Sequence, residues 1–216
     1  MKFKWIRLAV LTVLLSGGIW HSGEGAYIYA RAQLAQKLIH DAWQESFRHP
    51  QQVKPWSWAD TWPVARLMVP RLNVDLIVLA GDNGRTLAFG PGHRFGTTAP
   101  GEIGNSLIAG HRDTHFNFLK SLYPGEEIFV QTRNGSVQVY SVNSTQVIHE
   151  STAVEETSGH RQLTLVTCYP FDALVAGGSL RYIVIAIEKD VAEAGSMQSH
   201  RISEEGMVSF SELLRL

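Results

Sequence analysis

Cysteine is almost absent: the 216-residue chain has one, Cys168. A single thiol closes no internal disulfide, which excludes a disulfide-stapled secreted scaffold. It also excludes a zinc site of the multi-cysteine kind. Charge of one sign is lacking as well. With 19 Lys and Arg against 20 Asp and Glu, the net charge is −1, and neither sign forms a block. The electrostatic footprint of a nucleic-acid binder is therefore missing. There is no internal repeat and no low-complexity tract. What remains is ordinary globular material, 44% hydrophobic and 18% charged, enough for one domain with extensions.

The N-terminus carries a positive head, Lys2, Lys4 and Arg7, followed by "LAVLTVLLSGGIW" at 8–20. That order is an export signal. A helix over 5–20 covers roughly 24 Å, somewhat short of the ~30 Å hydrocarbon core. Trp5 and Trp20 stand at the two ends, where interfacial indoles are expected. The stretch 1–25 reads as an uncleaved transmembrane anchor; the alternative is a signal peptide cut near "ARA" at 30–32. Either way the rest of the chain faces the extracytoplasmic side of the cytoplasmic membrane.

Residues 26–62 read as a helical stalk and linker. Ile28, Leu34, Ala35, Leu38, Ile39, Ala42 and Trp43 form one apolar stripe at helical spacing. The stripe either docks on the domain or serves a dimerising stalk. Prolines 50, 55 and 63 then break helix and ladder, and the intervening tryptophans are expected to cover a core edge. From residue 63 to 190 the pattern is all-β. Strand-like runs lie at 65–69, 74–80, 105–110, 126–132, 136–148, 162–167 and 181–187, with short helical pieces at 84–89 and 114–121. Asn134–Gly135 between two such runs is a hairpin signal. Seven or eight short strands predict a closed β-barrel or a sandwich. Residues 191–216, a C-terminal extension, carry no readable motif.

Cys168 closes the strand-like run "LTLVTC", and His111 follows another, "NSLIAGH". A lone cysteine in an exported chain, with histidine elsewhere, is a nucleophile candidate; a buried bystander thiol is the plain alternative. An unperturbed thiol is only about 3% ionised at pH 7. A histidine that takes its proton and later hands it to a leaving amine makes acyl transfer from an amide feasible. The oxyanion then needs fixed donors. Arg181 opens the strand after the cysteine strand and presents a permanently charged fork, if those strands are neighbours.

"TLVTC" at 164–168, "GHRDTHFNFL" at 110–119 and "LRYIVIA" at 180–186 together resemble the signature blocks of the sortase family, in the family's order. The resemblance covers about residues 63–190. "GPGH" at 90–93 and "TCYPFD" at 167–172 look most like the sortases of Gram-negative marine proteobacteria. The resemblance implies an eight-stranded barrel and a membrane-tethered cysteine transpeptidase; no cofactor is expected, since the loops carry no dense acidic cluster. It implies catalysis by His111, Cys168 and Arg181. The implied partners are a protein bearing an LPxTG-like sorting signal, cut between threonine and glycine through a thioester, and an amine acceptor.

Thr167 and Tyr169 flank the thiol and are candidate substrate contacts, with strand packing the alternative for Thr167. His93, in a Gly/Pro loop, is a third, although a contact to the barrel suits it as well. His111 and His115 have HxxxH spacing, but no third metal ligand follows and the segment before them reads as a strand. Asp113 either orients Arg112 or caps the next short helix, the cap being the expected role. Loops 149–162 and 169–179 are candidates for substrate contact. Papain-like enzymes and L,D-transpeptidases fit poorly: the first place cysteine before histidine at a helix start, and the second put histidine and glycine directly ahead of it. The rival of another class is an inactive or hydrolytic barrel serving as a membrane-tethered binding module.

Overall fold

The computed structural model describes residues 2–48, 51–152, 159–173 and 177–189. Eight strands close a barrel: β1 (Pro63–Val69), β2 (Val74–Ala80), β3 (Gly92–His93), β4 (Gly104–Ala109), β5 (Glu127–Thr132), β6 (Val137–His149), β7 (Arg161–Cys168) and β8 (Leu180–Glu188). Around the barrel the order is β1-β2-β3-β4-β7-β8-β6-β5, with β5 returning to β1. Most neighbours are antiparallel; β4 with β7 and β2 with β3 are parallel. The expected C-terminal extension 191–216 lies outside the described residues, as do 153–158 and 174–176 of the two candidate loops.

Period-two alternation sorts the strands' side chains. Leu67, Val69, Ile108, Ile128, Val130, Leu163, Leu165, Val184 and Ala186 fill the interior. Strand boundaries agree with the sequence pattern to within two residues, except for β3. Two residues of Gly-His in a Gly/Pro loop carry no alternation to read. The helical piece expected at 84–89 is α2 (Gly84–Leu87), capped by Asn83, whose side-chain oxygen accepts from the Arg85 and Thr86 amides. The piece expected at 114–121 is a 3₁₀ turn, Asn117–Ser121. The Asn134–Gly135 hairpin forms, with Gly135 in the left-handed region and Asn134 Oδ1 accepting from the Ser136 amide.

Ahead of the barrel runs one helix, α1 (Lys2–Ser46), about 68 Å long at 1.5 Å per residue. Only its last quarter docks. Ala35, Ile39, Ala42 and Trp43 are buried, whereas Ile28 and Leu34 of the same stripe are exposed. The docked turns meet β1 and β2. The Gln36 side chain donates to the Phe89 carbonyl at 2.7 Å, tying the helix to the segment after α2. The transmembrane expectation for 1–25 is not met: among the described residues no helix is long and apolar enough to cross a membrane. Ser16, Gly17 and Gly18 interrupt the run 8–20, and His21 and Glu24 follow it closely.

The linker wraps the barrel edge. Thr61 donates to the Ala80 carbonyl at 2.7 Å, and the Ala80 amide to the Trp62 carbonyl at 2.8 Å. Trp56 packs edge-on to Phe89 and Trp62 lies over Phe95, but Trp58 is exposed and covers nothing. Docking of α1 predicts a split along one helix. Trp43→Ala empties a fully buried indole site and lowers unfolding free energy by about 3–5 kcal/mol. Leu14→Ala, on an exposed turn, changes it by no more than about 0.5 kcal/mol. Urea denaturation of the two variants checks this.

Candidate active site

The site grows from the C-terminal edge of β7. Leu163 and Leu165 point into the core and Thr167 follows them inward, 2% exposed. One residue further, the pleat turns Cys168 to the outer face, where it is partly exposed. On the neighbouring antiparallel strand, Cys168 stands opposite Arg181. The Tyr169 amide donates to the Leu180 carbonyl at 3.1 Å, which makes 169·180 a hydrogen-bonded pair. Cys168·Arg181 is therefore the adjacent non-hydrogen-bonded pair, the kind in which side chains stand closest, with Cα atoms about 4.5 Å apart.

On the other flank, β4 runs parallel to β7 with Ala109 level with Val166. The pairing continues past the end of β4: the Gly110 amide donates to the Val166 carbonyl at 3.1 Å, and Thr167 Oγ1 donates to the Gly110 carbonyl at 2.7 Å. His111 comes next in the chain, at the same end of the barrel as Cys168. The chain then turns at once. The Phe116 amide donates to the His111 carbonyl at 2.9 Å, and the buried Phe116 ring lies flat against Gly110. A β-carbon at Gly110 would meet that ring at 2.7 Å, so only glycine allows the turn to close this tightly.

The structure thus brings His111, Cys168 and Arg181 to one lip of the barrel. Thr167 is spent on the Gly110 carbonyl; its buried hydroxyl positions the histidine turn and faces away from the lip. Tyr169 belongs to an aromatic group beside the thiol, stacked on Tyr182 at 6.3 Å with Phe171 edge-on to both rings. His93 is set apart. Its Nε2 lies 2.8 Å from the Thr98 carbonyl and 3.1 Å from Thr97 Oγ1, and the ring is buried within its own hairpin. Asp113 does not cap a helix. Its Oδ1 accepts from Arg112 Nε at 3.3 Å, and the following 3₁₀ turn has no side-chain cap.

Three features of the lip have roles that the sequence alone does not show. Arg112, beside the histidine, is 4% exposed and donates through Nη2 to the Ala173 carbonyl at 2.9 Å, strapping the histidine turn to the loop after the cysteine. Its position in "GHRD" could equally carry a solvated charge. His115 lies close enough to His111 to feel its charge. Burial first, and the neighbouring His111 second, hold its imidazole below the ordinary value of 6.5. Glu150, just beyond β6, meets Arg181: Nη2 lies 2.5 Å from Oε2.

Residues 67–189 match the family model described as the sortase domain. Sortase D of Bacillus subtilis (strain 168) is 30% identical over 120 residues, 55% of this chain. The chain spans 60% of that relative's length. The crystal structure of sortase C-1 from Actinomyces oris superposes with TM-score 0.52 at 31% identity, over 59% of this chain and 73% of that one. A Clostridium perfringens sortase D5 transpeptidase superposes with TM-score 0.58 at 22% identity, over 73% of this chain and 99% of that one, and shares the fold.

Thr167→Val keeps the shape of the side chain and removes its donor. The buried Gly110 carbonyl then loses a partner, and stability is expected to fall by about 1–3 kcal/mol. Urea unfolding of the variant measures it.

Proposed function

The chain belongs to the sortase family, and on that premise we propose that it is a cysteine transpeptidase acting on an LPxTG-like sorting signal. The observation that carries this reading is the register of three neighbouring strands. Cys168 and Arg181 form a close non-hydrogen-bonded pair, and on the far side of Cys168 the Gly110 amide is bonded to β7, with His111 next in the chain. Family members are cysteine transpeptidases, and the three residue types at this lip suit that chemistry.

In the proposed reaction the Cys168 sulfur, having given its proton to His111, attacks the carbonyl carbon of the threonine. The intermediate's oxyanion takes hydrogen bonds from the Arg181 guanidinium, whose charge survives at any working pH. The threonine–glycine C–N bond breaks as His111 passes the proton to the glycine nitrogen. A thioester remains on Cys168. An incoming amine then attacks it, loses a proton to His111, and releases the thiol as a new amide forms. Tyr169, on the aromatic group beside the thiol, is the proposed contact for the peptide flanking the scissile bond.

We place the barrel on the extracytoplasmic side of the cytoplasmic membrane. The Lys2, Lys4 and Arg7 head before the apolar run supports export. The likeness to sortases of Gram-negative marine proteobacteria rests on "GPGH" and "TCYPFD" and is part of the same proposal.

Mass spectrometry of the full chain with a panel of LPxTG-like peptides tests the reading. The expected result is an adduct at Cys168 lacking the glycine side of the peptide, absent from Cys168→Ala and discharged by added amine. No adduct with any peptide would favour a binding barrel, and discharge by water alone would favour a peptidase.

A further inference from the structure

Arg181 is held as well as placed. Its Nη1 donates to the carbonyls of Gly178 at 2.6 Å and Leu180 at 2.9 Å, both in its own turn. Those contacts fix one corner of the guanidinium. A planar group pinned at one corner still swings about it. The second pin comes from a different element, the Glu150 carboxylate at Nη2, 2.5 Å away.

Glu150 is itself carried by the sheet. The β6–β8 ladder ends at His149 opposite Leu180, and the Glu150 amide extends it by donating to the Ser179 carbonyl at 2.7 Å. The turn beyond is ordered by His149 Nδ1, 2.8 Å from Ser151 Oγ. The pair is not there for stability, because the two side chains are 51% and 25% exposed, and exposed ion pairs contribute little. Geometry is what it supplies. A guanidinium has five N–H donors. Among the described residues three are engaged, which leaves Nε–H and one Nη2–H in a fixed plane.

We propose that Glu150 is a positioning residue: by gripping Nη2 it fixes the plane of the Arg181 guanidinium so that its remaining donors meet the substrate carbonyl. This rests on the transpeptidase reading above and assigns to that site a fourth side chain from the β6–β7 connection. Glu150 touches no reacting atom. Its influence passes entirely through Arg181, and that distinguishes it from a residue that merely supports the fold.

The test has two arms on the full chain. The first is ¹⁵N relaxation of the Arg181 Nε–Hε group, which needs no turnover. An ordered resonance is expected in the wild type and in Glu150→Gln, whose carbonyl still accepts, and a mobile one in Glu150→Ala. The second is the rate of Cys168 adduct formation. Glu150→Ala is expected to lower kcat about tenfold, a fraction of the 10²–10³ lost with an oxyanion donor, with KM and the unfolding midpoint little changed. Glu150→Gln restores most of the rate, and Glu150→Ala has no further effect in an Arg181→Ala background. Equal mobility of Arg181 in wild type and Glu150→Ala overturns the proposal whatever the activity. So does an equal rate, or a tenfold loss that persists without Arg181. An ordered Arg181 released by Glu150→Ala in a chain that forms no adduct supports the grip and counts against the transpeptidase reading instead.

Discussion

The register of β7 against its two neighbours is the constraint on which the site depends. A strand has period two, so a slip of one residue turns every side chain to the opposite face. Here the slip is prevented from inside. Leu163 and Leu165 are buried in the barrel beside Val184 and Ala186 of β8 and Ile108 of β4. Moving β7 by one residue would take both leucines out of the apolar cluster and turn the Gln162 and Thr164 side chains into it. The apolar interior thereby decides which residue of "LTLVTC" emerges at the lip, and it is the cysteine.

Two polar contacts extend that register beyond the regular strands. The Thr167 hydroxyl donates a hydrogen bond to the Gly110 carbonyl and so keeps the histidine turn in step with β7. Arg112 reaches from the same turn to the Ala173 carbonyl in the loop after the cysteine. The histidine, the cysteine and the loop that follows are thus tied into one piece at the end of the barrel, while the arginine is set by direct pairing with the cysteine. Reactive groups far apart in the chain are held by backbone ladders rather than by contacts among themselves. This suits the proposed reaction, in which the same side chains exchange protons and bind a peptide.

Much of this was legible before any coordinates. Alternation of apolar residues located seven of the eight strands, since each has an inner face of branched or aromatic side chains. The lone thiol at a strand end, with histidine and arginine at two others, marked the site. What escaped was whatever depends on pairing. Thr167 and Tyr169 look alike from the sequence as polar neighbours of the thiol and share parity, yet Thr167 is buried within β7 while Tyr169 lies past its end, packed with Phe171 and Tyr182. His93 belongs to the two-residue strand β3, and its Nε2 is taken up by the Thr98 carbonyl and Thr97 Oγ1. Glu150 is one of several acids in its stretch, and only the end of the β6–β8 ladder singles it out. The stripe on α1 reads as continuous, but whether a helix face is covered depends on where the barrel stops beneath it.

The central claim is that His111, just past the end of β4, and Cys168, at the end of β7, meet at one lip, and a cross-link tests it most directly. The chain holds a single cysteine, so His111→Cys adds the only possible internal partner. A disulfide needs Cα atoms within about 7 Å, so the cross-link forms only if the two residues meet. Mild oxidation should convert the monomeric variant to a species two hydrogens lighter with no free thiol. A monomer that keeps both thiols, or forms only intermolecular dimers, would contradict the account.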